Sequence, residues 1–173
     1  MSERHYKVLA KSPEELRVRG DYLEIAIGNI ILDAEVSIDC YSGKVKNYVL
    51  FEAVYSNLWD YVISTNSFEP VLIDSHGFQH TACSLLSDAV IYKAKHLEEG
   101  AELPSVACEI QGNARSAGWI AFPKLKKSVV PHRLIFQLWI FKAGQTSGRV
   151  RHSETLELIF DLSFYGRLIG ESK

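Results

Sequence analysis

His76 and His80 stand four residues apart, the spacing that on a helix would turn both imidazoles to one side and let them share a metal ion. Their surroundings point elsewhere. Asp74-Ser75-His76-Gly77 has the composition of a tight turn between the apolar run Phe68 to Ile73 and the departing segment Phe78 to Cys83, so the stretch reads as a β-hairpin. On an extended chain the two histidines would lie roughly 13 Å apart at about 3.3 Å per residue, too far for one ion. The turn also lacks the succession of oxygen ligands that a calcium loop needs. Its histidines are expected to be exposed or locally hydrogen-bonded, and His5, His96, His132 and His152 show no ligand spacing. Neither a metal nor a cofactor is expected.

Catalytic patterns are similarly sparse. Glu98-Glu99 and Asp33 with Glu35 read as solvated faces, and the chain contains no Gly-x-Ser-x-Gly elbow, P-loop or dinucleotide fingerprint. No catalytic residue is assigned. Candidate binding residues fall into three groups. Lys124, Lys126 and Lys127, with His132 and Arg133, lie between two expected strands, where they would either receive an anionic partner or guard a sheet edge. Arg149 and Arg151 follow a loop loosened by Gly144 and Gly148. Trp59 and Trp139 offer large rings for stacking a sugar or another small ligand, although core packing is the simpler role for them and for Trp119.

These residues must be carried by strands, because apolar and polar residues alternate at period two along most of the chain. Leu16 and Val18 oppose Arg17 and Arg19; Val36, Ile38 and Cys40 oppose Glu35, Ser37 and Asp39; Leu156, Leu158 and Phe160 oppose Glu157 and Asp161. A hairpin turning at Gly20-Asp21 returns through Leu23, Ile25 and Ile27, after which Gly28-Asn29 punctuates before a strand from Ile31 to Tyr41. Lys44 to Ser56 is rich enough in apolar residues to be a central strand. Asn57 to Asn66 reads as a less regular connection, and Val106 to Ile110, Ala117 to Phe122, His132 to Phe141 and Glu154 to Leu162 complete about ten strands. Ser87 to Gly100 carries both a helical and a strand pattern, with Val90, Ile91, Ala94 and Leu97 at helical spacing and Gly100 as a stop. Many short strands with at most one short helix predict an all-β fold, an antiparallel β-sandwich of immunoglobulin-like type.

Length and composition agree with one domain spanning 1–173, divided into additional N-terminal strands over 1–43 and a core over 44–165. The 173 residues are 47% hydrophobic and 11% aromatic, ample for an apolar core. The 19 basic and 21 acidic residues are well mixed, leaving a net charge of -2 and no global field for nucleic acid or an anionic membrane. No apolar run approaches the roughly 20 residues a bilayer crossing needs. Met1 to Lys7 is followed by no apolar signal stretch, so a cytoplasmic location is expected, or an exported one if a leader has been removed. Cys40, Cys83 and Cys108 are widely spaced and odd in number, which predicts reduced thiols, with Cys40 and Cys108 on the apolar faces of their strands.

Three phrases bear a resemblance. Ala53 to Leu58 is a strand ending in a polar Asn, Phe68 to Gly77 is an aromatic and an apolar strand followed by an Asp-containing turn closed by Gly, and Gly118-Trp-Ile-Ala-Phe-Pro123 precedes an apolar strand, Leu134 to Leu138. Together they resemble a family of immunoglobulin-like domains of unknown function, found mainly in bacterial and archaeal secreted proteins and lipoproteins and akin to an immunoprotective antigen. The resemblance implies a fold more than an activity. Together with the absence of catalytic motifs, it leads to the expectation of a non-enzymatic module that binds a protein partner or a second copy of itself. A small-molecule or carbohydrate-binding sandwich is the alternative, and a hydrolase would require an acid and base paired in a cleft.

Overall fold

The computed structural model describes residues 2–9, 16–38, 44–67, 70–85, 89–95, 97–142 and 153–163. The regular elements among them are twelve strands: β1 (Ser2–Leu9), β2 (Arg17–Arg19), β3 (Leu23–Ser37), β4 (Val45–Asn57), β5 (Ile63–Ser67), β6 (Val71–Asp74), β7 (Gln79–Thr81), β8 (Val90–Lys93), β9 (Glu109–Ile110), β10 (Arg115–Pro123), β11 (Pro131–Lys142) and β12 (Ser153–Asp161). They form two sheets. The larger runs β1-β12-β11, with β5 and β6 end to end along the far side of β11, β9 beside β5 and β7 beside β6. The smaller runs β10-β4-β3, with β2 and β8 along the far side of β3. Strand pairs are antiparallel except β1 and β12, which run parallel. The all-β sandwich is thus the observed fold.

Alternation places the core. Leu23, Ile25 and Ile27 of β3 and Phe51, Ala53 and Tyr55 of β4 face Leu134, Phe136 and Leu138 of β11 and Leu158 and Phe160 of β12 across the space between the sheets. Phe136 meets Tyr55 and Phe160 edge-on, with ring centroids 6.5 and 5.7 Å apart, a geometry that aligns ring edges with ring faces. Each fully buried ring contributes on the order of 1.5–3 kcal/mol by leaving water.

A second apolar cluster lies on the other face of the smaller sheet, and β3 explains how. Its pairing with β4 shifts between Ile27 and Ile30 and again between Ile31 and Ala34, and each extra residue reverses the parity of those that follow. Ile31, Ala34 and Val36 therefore point outward, where they join Tyr48 and Leu50 of β4 beneath Ala89, Ile91 and Leu103. Gly28-Asn29, expected to separate two strands, lies inside one continuous strand at the first of these bulges. The segment with competing helical and strand patterns resolves as β8 followed by a tight fold-back, its Ile91 facing Val36 of β3. Its apolar spacing serves this outer cluster.

Two other expectations are corrected. Ile63–Ser67, expected within an irregular connection, is a strand paired with both β11 and β9. Cys108, expected to pack on an apolar face, is an exposed free thiol, because its strand shortens to Glu109–Ile110 and only Ile110 turns inward. Among the described residues the strands number twelve, against about ten expected. Cys40 lies outside the described residues.

Candidate functional site

Two strands and a loop gather charged, imidazole and apolar side chains on one surface. β6 ends at Asp74, the chain reverses through Ser75, His76 and Gly77, and β7 returns. Gly77 adopts φ +85°, a left-handed conformation that a side chain would strain, so the expected turn is formed with its glycine where it is needed. Asp74 holds the turn from within. Its Oδ1 accepts the N–H groups of His76 at 2.8 Å and Phe78 at 3.0 Å, and its Oδ2 accepts Nε2 of His80 at 2.7 Å. The facing loop between β10 and β11 is tied to the turn at one point. Ser75 donates its N–H to the Val130 carbonyl at 2.8 Å, and Val130 donates its own to Ser75 Oγ at 3.1 Å.

Between turn and loop lies a cavity of about 390 Å³ bounded by Asp74, His76, Phe78, His80, Lys124 and Lys126. Phe78 is 69% exposed, an apolar ring left in water beside charged groups. Asp74 is only 4% exposed. Burial works to raise its carboxyl, but the His80 hydrogen bond, the two backbone N–H groups and the His80 charge outweigh it and hold Asp74 below the usual carboxylate value. An ionised carboxylate only accepts, so His80 Nε2 carries the proton in their shared bond. Its Nδ1 is then the group left to address a ligand, as an acceptor when the ring is neutral and a donor when it is charged.

The structure brings some of the expected binding residues to this site and disperses the rest. Lys124 and Lys126 line the cavity; Lys127 is exposed on the same loop outside it. Lys124 also reaches Asp33 at 3.5 Å, an exposed pair worth at most about 1 kcal/mol. Arg133 projects from β11 in register with Asp161, away from the cavity lining. Arg149 and Arg151 lie outside the described residues. Trp59 stacks on Tyr22 with centroids 4.6 Å apart and meets Tyr61 edge-on at 5.1 Å, so one face of its ring is already occupied. Trp139 sits half-buried on β11 between the register partners Thr155 and Asn66, on a different surface from Trp59. The two tryptophans do not form a common platform.

Asp74 with His80 is the feature that single-strand spacing missed. A hairpin folds the chain so that Ile73 faces Gln79 and Leu72 faces His80, which puts Asp74 and His80 diagonally on one face. Counting outward from the turn at Ser75 to Gly77, not along one strand, would have revealed the pair. Among the described residues no group of three His, Cys, Asp or Glu side chains could hold a metal ion. Comparison with protein-family models, with curated proteins and with solved structures found no match for this chain.

Proposed function

We propose that this chain is a non-enzymatic binding module on an immunoglobulin-like sandwich, whose cavity beside the β6–β7 turn takes a small ligand carrying an anionic group next to an apolar one. The observation that supports this most is the Asp74–His80 pair set beside Lys124 and Lys126. Asp74 is spent on the turn and on His80, so its charge organises the wall and does not repel a ligand. His80 Nδ1, the Lys126 ammonium and that of Lys124, whose exposed pairing with Asp33 is weak, can meet a carboxylate or phosphate, and Phe78 gives an apolar neighbour for the rest of the molecule. The family resemblance is carried in the same reading, supported by the two packed sheets, the strand ending in Asn57 and the glycine that closes the turn.

Nuclear magnetic resonance titration with benzoate and inorganic phosphate tests this directly. The His80 ring and the backbone amides of 124–130 should shift in a saturable way with benzoate, more weakly with phosphate, and not in the Lys124→Ala/Lys126→Ala variant. Shifts of equal size in that variant, or none in the native chain, would remove the cavity from consideration as the binding site.

A further inference from the structure

The outer face of the smaller sheet has two halves. One is covered by the apolar cluster under Ala89, Ile91 and Leu103. The other half, uncovered by any such cluster among the described residues, is bordered by arginines from strands distant in sequence. Register aligns Arg19, Glu24, Ser56 and Arg115 in one row across β2, β3, β4 and β10, and Arg17, Ala26, Val54 and Ala117 in the next. Two adjoining cavities of about 310 and 420 Å³ share Arg17, Glu24, Ser56 and Arg115 and so form one trough. Its floor is made of the small side chains Ala26, Val54 and Ser56, and its rims are Arg17 and Arg19 on one side and Arg115 on the other.

We infer that this trough docks an extended acidic segment of a partner protein. Charge complementarity sets the chemistry. Three exposed guanidinium groups face one glutamate, Glu24, which lies 3.6 Å from Arg17, and among the described residues no carboxylate pairs with Arg19 or Arg115. Guanidinium forks grip carboxylates with two parallel hydrogen bonds. The rims stand three strand spacings apart, roughly 14 Å at about 4.8 Å per strand, which suits several anions spaced along a chain better than one compact ion. The small floor lets an extended backbone lie flat, with alternate side chains turned toward the rims. Glu24 and, two rows on, the half-buried Glu52 interrupt the positive field. A continuous polyphosphate backbone would meet both, whereas an acidic peptide can set its neutral residues there. This surface is independent of the cavity beside the β6–β7 turn.

Fluorescence anisotropy with a labelled peptide of about ten residues, glutamate at alternate positions, tests the inference on the full chain at low salt. The glutamate peptide should bind and its glutamine counterpart should not. Affinity should fall about tenfold for Arg115→Ala, and further for Arg115→Glu, with a steep loss as salt rises. These side chains are exposed, so an unchanged thermal midpoint will show that each variant is folded. Lys124→Ala/Lys126→Ala should bind the peptide normally, which separates this site from the cavity. Retention of full affinity in Arg17→Ala/Arg19→Ala/Arg115→Ala, equal binding of the glutamine peptide, or tighter binding of a single-stranded oligonucleotide would overturn it.

Discussion

Asn57 and Asp74 are the buried polar side chains among the described residues, at 3% and 4% exposure, and each closes a strand. Both begin alike, with the side-chain oxygen accepting the N–H two residues on: Trp59 for Asn57 at 2.9 Å and His76 for Asp74 at 2.8 Å. They then diverge. The Asn57 amide donates to the carbonyls of Tyr61, Ile110 and Gln111 at 2.8 to 3.0 Å, so its two N–H bonds are shared among three backbone acceptors from the segments on either side. Asp74 spends its second oxygen on a side chain, His80, which is a quarter exposed and opens on a cavity. A buried polar group saturated by backbone is a fastener. One that ends on a partly exposed imidazole can also present that ring to a ligand.

The largest expected effect tests the fastener. Asn57→Asp places a carboxylate against three carbonyl oxygens and should lower unfolding free energy by about 4 kcal/mol at neutral pH, recovering in part on acidification as the group takes up a proton. Asn57→Ala, which leaves those carbonyls and the Trp59 N–H without their partner, should cost about 2–3 kcal/mol in urea denaturation. A loss below about 1 kcal/mol in both would mean that water replaces the amide and that the contrast with Asp74 is unfounded.

Asp74→Ala comes next. It should cost about 2 kcal/mol, since the His76 and Phe78 N–H groups lose their acceptor, and it should also abolish the benzoate-induced shifts of the His80 ring. The pH dependence sharpens the difference. The native carboxyl lies below its unfolded value of about 3.9, so its contribution is complete above that value and is lost as pH falls through the lower native one. Asp74→Asn should flatten the acid limb of a thermal-midpoint profile, whereas Asn57→Asp should tilt its own profile the opposite way. The smallest effect belongs to Lys124→Ala. Its exposed pairing with Asp33 makes less than about 1 kcal/mol of difference to stability, while ligand affinity at the cavity should fall severalfold.

Much of this scaffold was legible because half-buried strands repeat every two residues. The Gly20-Asp21 hairpin forms with Gly20 N–H donating to the Leu23 carbonyl, and Lys44 to Ser56 is indeed a central strand between β10 and β3. At Gly118 a Cβ would lie 2.2 Å from the Val106 nitrogen, so no larger residue fits without displacing that segment. Gly28-Asn29 was misread because bulges and turns favour the same residue types, and only pairing with β4 tells them apart. Of the site, Lys124 and Lys126 were legible as a basic loop. Their conjunction with Asp74 and His80 was not, because it depends on how one loop meets one hairpin. Arg115 meets Arg17 and Arg19 solely through strand order, which a single sequence does not encode locally.

The parallel pairing of β1 with β12 has a mechanical consequence. Ser2 lies beside Glu154 and Leu9 beside Asp161, so tension drawn from the start of β1 and the finish of β12 pulls the two strands past one another along their length. The evenly spaced bonds of a parallel ladder then share the load instead of peeling apart one at a time. Single-molecule stretching in that direction should meet a high rupture force, governed by the rate at which this clasp slips. The same chain pulled across its sheets should open under far less.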